Sequence, residues 1–248
     1  MKIFNTLWLG ARATLFWIGF AISNIFYGLS TPVLLLLPTK ISYKILMTWG
    51  PINAWWLKVS CGVKYRIKNP ENINKKHPHI VLANHQSTWE TMVIPALIPP
   101  FAWVLKKELF RIPFFGWALK IADPIAIDRV AGRLSIQQIR AQGKAKLDAG
   151  FWVCIFPEGT RVMPGKKERY KKGGAILASY TGCPIIPIAH NAGESWPRHS
   201  FIKKPGTITV SIGPVIKTKG RKSIAIIKDV ERWIEAEKKE LPPINPKN

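Results

Sequence analysis

A histidine and a glutamate stand five positions apart in the stretch LANHQSTWET, residues 82–91. On a continuous α-helix, His85 and Glu90 would point about 140° apart and could not meet. If His85 lies in a loop and Glu90 in the first helical turn, the bend brings them together, and the carboxylate can orient an imidazole that acts as a base. A second interpretation needs no chemistry, because the letters STWE fit the capping box that begins a helix.

Two more polar turns follow short apolar runs. One is Asp128-Arg129 after PIAI, and the other is FPEGTR, residues 156–161, after WVCI. Open α/β sheets place their sites beyond the carboxyl ends of strands. Each turn taken alone is typical of a solvated surface loop. Three of them at the ends of predicted strands indicate a functional site.

Six apolar runs predict β-strands, because they are short, rich in β-branched and aromatic residues and bounded by turn signals. They are residues 79–84, 101–106, 124–129, 151–159, 184–189 and 207–213. Helical patterns lie between them, notably over 131–149 with Gly150 at the stop, and again near the end of the chain. This alternation predicts an α/β domain over residues 61–248, with a mixed, mostly parallel central sheet flanked by helices.

Residues 1–60 predict a helical membrane-anchoring segment. Residues 13–39 contain no charged side chain, and this run is long enough to cross a hydrocarbon core of ~30 Å as a helix. Gly28 and Pro32 interrupt it, so a kinked or re-entrant hairpin and a buried core helix stay open as alternatives. Lysines and tryptophans after residue 40 are typical of an interfacial flank, which predicts the inner membrane with the domain on its cytoplasmic side.

The composition predicts an anionic partner. Lys and Arg number 37 against 14 Asp and Glu, for a formal net charge of +23. With 11 Trp and 11 Phe, membrane lipids fit this balance, and no nucleic-acid-binding motif is present. The three cysteines, Cys61, Cys154 and Cys183, show neither metal-ligand spacing nor a disulfide framework, so a reducing compartment is expected.

Five segments, NHQSTWE, KKELFRIPFFGW, IAIDR, FPEGTR and CPIIPIA, together resemble the motifs of the glycerolipid acyltransferase family in order and spacing. The resemblance covers roughly residues 65–215 and is nearest to the bacterial 1-acyl-glycerol-3-phosphate (lysophosphatidate) acyltransferases. One departure stands in the first motif, where the family usually has aspartate and this chain has Glu90. Lipid A acyltransferases resemble this variant, but they lack FPEGTR.

The resemblance implies a membrane-bound O-acyltransferase of phospholipid biosynthesis. It would transfer a fatty acyl group from acyl-carrier protein or coenzyme A to the sn-2 hydroxyl of lysophosphatidic acid, giving phosphatidic acid. The substrate hydroxyl attacks directly, so His85 serves as the base and Glu90 orients it, and no metal or organic cofactor is implied. The positions that match the family's substrate-binding residues are Lys106, Lys107, Arg129, Glu158, Gly159, Thr160 and Arg161.

Two finer expectations concern this site. Glu158 is expected to hydrogen-bond the acceptor's glycerol hydroxyl or to position an arginine, and Pro187 is expected on the acyl-chain side of the cleft. Two alternatives stay open. The same chemistry could act on another lysophospholipid, a lyso-ornithine lipid or glycerol 3-phosphate. A non-catalytic, basic membrane-binding protein would account for the charge, but not for the motifs at strand ends.

Overall fold

A computed structural model of the protein describes residues 2–128 and 132–245. In these ranges the helices are α1 (Lys2–Leu34), α2 (Thr39–Met47), α3 (Trp49–Cys61), α4 (Trp89–Leu97), α5 (Phe115–Ala122), α6 (Arg133–Asp148), α7 (Gly173–Thr181), α8 (Ala192–Ser195) and α9 (Ser223–Glu240). The strands in the same ranges are β1 (Val63–Lys68), β2 (Ile80–Ala83), β3 (Phe101–Lys106), β4 (Ile125–Ile127), β5 (Trp152–Ile155), β6 (Ile185–His190) and β7 (Gly206–Ile212).

The strands of the described ranges form one seven-stranded sheet in the order β1-β7-β6-β2-β5-β3-β4. The five strands from β6 to β4 run parallel to one another. Strand β7 runs antiparallel to β6, and β1 pairs with β7 in parallel. The prediction of a mixed, mostly parallel sheet flanked by helices is therefore confirmed. Each of the six predicted runs overlaps one of the strands β2 to β7, whereas β1 was not predicted.

Both faces of the sheet are covered, which is why the central strands read as continuous apolar runs. All four residues of β2 are buried, and its side chains alternate between two apolar clusters. Val81 and Ala83 join the cluster that includes residues of α1, α3 and α4. Ile80 and Leu82 join the cluster on the opposite face, with residues of α6, α7 and α9.

The carboxyl ends of β2, β3, β5 and β6 lie at one edge of the sheet, because these strands are parallel neighbours. His85 follows β2, Phe156 follows β5, and Lys106 is the last residue of β3. The sheet thus brings together motifs that lie about 70 residues apart, since His85 and Glu158 are separated by 73 positions.

Helices α1 to α3 pack on the α/β domain and share its core. Phe16 of α1 is fully buried, in the same apolar cluster as Leu57 of α3 and Val81 of β2. Farther along α1, Gly28 lies against Phe114, where an added Cβ would stand 2.4 Å from the Phe114 Cβ. The division of the chain at residue 60 stays a prediction, and the two parts share one apolar cluster.

The outer face of these helices is apolar and exposed. Segment Phe4–Leu34 is long and apolar enough to cross a membrane, and 22% of its most apolar window is buried. The large exposed apolar side chains of α1 and of the turn that follows it include Phe4, Leu7, Trp8, Leu15, Ile18, Ile22, Phe26, Leu29, Val33, Leu35 and Leu36. On α2 and α3 they continue with Ile41, Ile45, Ile52, Trp55 and Val59.

Candidate active site

The loop that carries His85 leaves the sheet at a fixed point. Asn84, just beyond β2, exchanges two hydrogen bonds with the main chain of His190 on β6. Its Nδ2 donates to the His190 carbonyl at 3.0 Å, and its Oδ1 accepts from the His190 N–H at 2.9 Å. These two side-chain hydrogen bonds continue the hydrogen bonding between β2 and β6 by one residue. The start of the loop is therefore held against the neighbouring strand.

The imidazole of His85 contacts the carboxylate of Glu90, with 2.7 Å between Nδ1 and Oε1. The ring stacks on Phe156, with centroids 4.1 Å apart and planes 9° apart. Glu90 is fully buried, whereas the His85 side chain is 19% exposed. When Nδ1–H donates to the carboxylate, Nε2 becomes the nitrogen that can accept a proton.

One oxygen of Glu90 serves both the helix start and the histidine. Besides contacting His85, Oε1 accepts the N–H groups of Gln86 and Ser87, each at 2.8 Å. The Ser87 Oγ accepts the N–H of Trp89 at 3.2 Å. Glu90 therefore accepts a backbone N–H at the helix start, as the capping box predicted, and this hydrogen bond coexists with the histidine contact. The residue before α4 is Thr88, whose side chain makes no capping hydrogen bond. The second oxygen, Oε2, is buried and has no hydrogen-bond partner among the described residues.

The surroundings of Glu90 favour its charged form. Burial acts to raise its pKa, but the neighbouring His190 and His85 side chains and backbone N–H groups outweigh burial, so the pKa lies below its ordinary value. Burial lowers the pKa of His190 against the opposing effect of the Glu90 carboxylate. Its Nε2 donates to the Asn84 carbonyl at 2.8 Å, and its Nδ1 accepts the Ala192 N–H at 3.3 Å. The tautomer of His190 is assigned from these two contacts.

The FPEGTR segment and the residue that follows it hold the backbone of His85 on both sides. Glu158 Oε2 accepts the His85 N–H at 2.5 Å, and the Val162 N–H donates to the His85 carbonyl at 2.7 Å. Glu158 is 1% exposed, and this burial raises its pKa to about 8. The expected contact of Glu158 with the acceptor's glycerol hydroxyl does not match this geometry, because the side chain turns inward to the main chain of His85.

The turn after Glu158 needs a glycine and brings two polar side chains to the surface. Gly159 has φ +70°, and a Cβ there would lie 2.8 Å from the Lys171 Nζ, so other residues would be strained. Thr160 is exposed. The Arg161 Nη1 donates to the Thr88 Oγ1 at 3.0 Å, which ties the turn to the start of α4.

The two motif lysines point to different partners. Lys106 lines the cleft beside His85. The Lys107 Nζ instead pairs with the Asp128 Oδ2 at 2.5 Å, because it stands one position past the end of β3. Among the two predicted lysines, the structure therefore brings Lys106 to the site and turns Lys107 to an ion pair beside it. Arg129, a predicted phosphate ligand, lies outside the described residues.

Arg198 belongs to the site, and the sequence analysis missed it. It stands between α8 and β7, lines the same cleft as His85, and its Nη1 donates to the Thr160 Oγ1 at 3.2 Å. A signal was present in the sequence. The residues after β6 belong to the same sheet edge as those after β2, so a cation in that connection was a candidate.

The cleft in front of His85 has a volume of about 360 Å³, within the range of small-molecule sites. Its polar groups lie near His85, and its remaining wall is mostly apolar. The wall comes from several helices and includes Tyr27, Leu46, Met47, Trp49, Pro95, Leu109, Phe115, Ala118, Leu119 and Ala122. Helices α1 to α3 therefore help to build the cleft. Pro187, expected on its acyl-chain side, is buried in β6 and is not part of this wall.

The described residues show neither a candidate metal site nor a disulfide. Within residues 2–128 and 132–245, no group of three or more His, Cys, Asp or Glu side chains could hold a metal ion. Cys61, Cys154 and Cys183 are free thiols. The expectation that no metal or organic cofactor takes part stays a prediction.

A histidine held by a buried carboxylate, neighbouring cations and an apolar cleft suit an acyltransferase in which the histidine acts as a base. The chain belongs to the acyltransferase family, whose family model, described as "Acyltransferase", matches residues 64–191. The resemblance drawn from the motifs and the prediction of an acyltransferase enzyme are thereby confirmed.

Curated relatives and a solved structure agree with this assignment. The 1-acyl-sn-glycerol-3-phosphate acyltransferase of Pseudomonas aeruginosa is 40% identical over 238 residues, which cover 94% of this chain and 92% of the relative. The Saccharomyces cerevisiae enzyme of the same name is 31% identical over 170 residues, 66% of this chain and 54% of the relative. The crystal structure of the Thermotoga maritima acyltransferase PlsC superposes with a TM-score of 0.78 at 24% identity, covering 97% of this chain and 99% of that one, and shows the shared fold.

Proposed function

We propose that this enzyme transfers a fatty acyl group from acyl-carrier protein or coenzyme A to the sn-2 hydroxyl of 1-acyl-glycerol-3-phosphate, giving phosphatidic acid. The observation that carries the proposal is the His85–Glu90 contact of 2.7 Å at the mouth of an apolar cleft. The acceptor is supported by the names of the relatives, which are 1-acyl-sn-glycerol-3-phosphate acyltransferases across most of this chain's length.

His85 acts as the general base. Its Nδ1–H is held by Glu90, so Nε2 takes the proton of the acceptor hydroxyl as the oxygen attacks the thioester carbonyl carbon. The new C–O bond forms, the C–S bond breaks, and the thiolate receives the proton that His85 had taken. Glu90 stabilises the imidazolium between these two steps. The stacked ring of Phe156 and the hydrogen bond from the His85 N–H to Glu158 fix the orientation of the base.

The acceptor's phosphate lies on the cations at the mouth of the cleft. Lys106 and Arg161 line the mouth together with His85, and a guanidinium can bind phosphate through two parallel hydrogen bonds. Arg129, outside the described residues, stays a predicted phosphate ligand. A fixed phosphate orients the hydroxyl toward the base, which lowers the barrier through positioning. Gly159 permits the close turn on which Arg161 stands.

The acyl chain occupies the apolar wall formed by the helices, and the enzyme works at a membrane surface. The exposed apolar face of α1 to α3 supports membrane attachment, since such a face is costly in water and favourable in lipid. Anionic headgroups attract the formal net charge of +23. We place the catalytic domain on the cytoplasmic side of the inner membrane, because cationic segments stay on that side.

A single acceptor experiment tests the proposed reaction. Purified enzyme is incubated with acyl-coenzyme A or acyl-carrier protein and, separately, with lysophosphatidate, another lysophospholipid, a lyso-ornithine lipid and glycerol 3-phosphate. We expect the highest kcat/KM with lysophosphatidate. Turnover of another acceptor without turnover of lysophosphatidate would move the assignment to that acceptor.

The substitution His85→Ala separates the enzyme from a basic membrane-binding protein. An enzyme that uses His85 as its base should lose nearly all acyl transfer while it still sediments with anionic vesicles. A protein that works by binding alone would show no transfer in either form. The matched control is His77→Ala, which changes an exposed histidine that does not line the cleft and should leave transfer unchanged.

A further inference from the structure

A fully buried lysine beside the site has no part in the reaction described above. Lys203 is 1% exposed, and a buried ammonium is unfavourable unless its charge is compensated. The compensation comes from aromatic rings. The Lys203 Nζ lies 3.8 Å from the ring centroid of Trp17, 4.6 Å from Trp196 and 5.0 Å from Phe16, which are cation–π distances. It also donates to the Phe201 carbonyl at 2.7 Å.

These rings come from two distant parts of the chain. Phe16 and Trp17 belong to α1, whereas Trp196, Phe201 and the lysine belong to the connection between α8 and β7. We name residues 197–204 of this connection the arginine loop. The Trp17 Nε1–H donates to the Phe201 carbonyl at 3.2 Å, so α1 contacts the loop through a hydrogen bond as well as through the lysine.

The other end of the loop is tied to the α/β domain. The Lys204 N–H donates to the Ser195 carbonyl at 2.9 Å, and the Ser195 Oγ donates to the Lys204 carbonyl at 2.7 Å. The loop is thus closed at its base against α8 and fastened along one side to α1. Its charged side chain at the cleft is Arg198.

Arg198 has the surroundings of a ligand-binding cation. It is exposed, lines the cleft with His85 and Arg161, and donates to the neutral Thr160 Oγ1 at 3.2 Å. Among the described residues, no carboxylate lies within ion-pair distance of it. A guanidinium that is held over a cleft without an acidic partner is suited to a phosphate group.

We propose that Arg198 binds the phosphate of the acceptor and that Lys203 is the positioning residue that fastens the arginine loop to α1. This inference rests on the proposed function, because it assumes a phosphorylated acceptor at the mouth of the cleft. Arg198 contributes to acceptor affinity and specificity. Lys203 acts through Arg198 and makes no contact with the acceptor.

The first test compares Arg198→Ala with wild type in acceptor kinetics. We expect the KM for lysophosphatidate to rise about tenfold to a hundredfold, as loss of a hydrogen bond to a charged group predicts, with kcat within about threefold. Arg232→Ala is the matched control, because Arg232 is an exposed arginine on α9 far from the cleft, and its kinetic constants should stay at the wild-type values.

An inhibitor that lacks the phosphate shows whether Arg198 contacts that group. Inhibition by 1-acylglycerol should be equally strong in wild type and Arg198→Ala, since the missing contact is to the phosphate alone. A KM within twofold of wild type, or an equal loss of affinity for 1-acylglycerol, would overturn the assignment of Arg198. The proposed function fails separately, when wild type itself does not acylate lysophosphatidate.

The role of Lys203 is tested by a double-mutant comparison. Lys203→Met should raise the acceptor KM with little change in kcat, and Lys203→Arg, which keeps a cation among the rings, should restore most of the affinity. In Arg198→Ala the further change Lys203→Met should add nothing to the KM, because Lys203 acts through Arg198. Independent, multiplicative effects on KM, or a loss of kcat in Lys203→Arg, would overturn this part.

Discussion

Replacing Glu90 by glutamine removes a negative charge from beside His85 and leaves a side-chain oxygen in its place. That oxygen can still accept the N–H groups of Gln86 and Ser87, which the carboxylate accepts at 2.8 Å. The start of α4 should therefore form as before. What is lost is the charge that, in the proposed mechanism, stabilises the imidazolium of His85 during acyl transfer.

The size of that loss follows from the geometry. The His85 Nδ1 and the Glu90 Oε1 are 2.7 Å apart, which puts the two centres of charge about 4 Å apart and their attraction at about 4 kcal/mol for an effective dielectric constant of ~20. The imidazolium exists only after proton transfer, so this stabilisation belongs to the transition state. We expect kcat for Glu90→Gln to fall about a thousandfold.

Stability should change much less than activity. The glutamine NH₂ would occupy the place of Oε2, which has no hydrogen-bond partner among the described residues. An unpaired buried donor costs about 1–3 kcal/mol, so a moderate drop in Tm is expected. Glu90→Asp keeps the charge but is about 1.5 Å shorter, and it should retain part of the activity.

The assay measures acyl transfer to lysophosphatidate at saturating substrate, with Tm measured on the same preparations. Ser87→Ala is the control for the helix start, because it removes the hydrogen bond to the Trp89 N–H and no charge. It should lower Tm while kcat stays near wild type. The reasoning is refuted if Glu90→Gln keeps kcat within about tenfold of wild type, or if Ser87→Ala loses as much activity as Glu90→Gln.

Three further predictions concern stability and membrane attachment. Burial raises the pKa of Glu158 from 4.5 to about 8, so between these values the folded protein retains a proton that the unfolded chain has lost. Wild-type Tm should therefore decline between pH 5 and pH 8. A decline of equal size in Glu158→Gln would contradict this origin. Leu36→Glu, at a side chain 85% exposed, should weaken sedimentation with anionic vesicles about tenfold or more, whereas Ile224→Glu on α9 should not; equal binding by both variants would count against the apolar face. Gly28→Ala would place a Cβ 2.5 Å from the Cα of the residue that precedes α5 and should lower the free energy of unfolding by about 1–3 kcal/mol, whereas Gly10→Ala in the same helix, with open space around it, should leave it unchanged or higher.

Local patterns were sufficient for the sheet and for the contact between His85 and Glu90. The runs before His85 and before FPEGTR are buried on both faces, so their apolar letters marked β2 and β5 to within a few residues. Strand β1 was not predicted because it lies at the edge of the sheet, where most of its residues are exposed. Its lysines and arginine therefore read as a flank of the membrane segment.

Side-chain direction and long-range packing were out of reach of the sequence. In the sequence, Glu158 and Gly159 both belong to one polar turn. In the structure, the Glu158 side chain turns inward to His85, whereas Gly159 lines the cleft. Arg198 and Lys203 stand in a connection whose letters resemble any loop, and their roles depend on contacts with Thr160 and with α1. An apolar N-terminal helix also carries no mark that it will form the wall of a cleft.

The contact between Trp17 and Phe201 joins residues 184 positions apart, and this separation has a consequence for the timing of synthesis. At a translation rate of about 5–20 residues per second, α1 leaves the ribosome roughly 10–40 s before the loop that covers its inner face. Throughout that interval the side chains of Phe16 and Trp17, which pack on that loop in the folded protein, have not yet been covered by it. The newly made helix therefore has time to associate with lipid before the domain that it serves exists, and membrane targeting can precede folding.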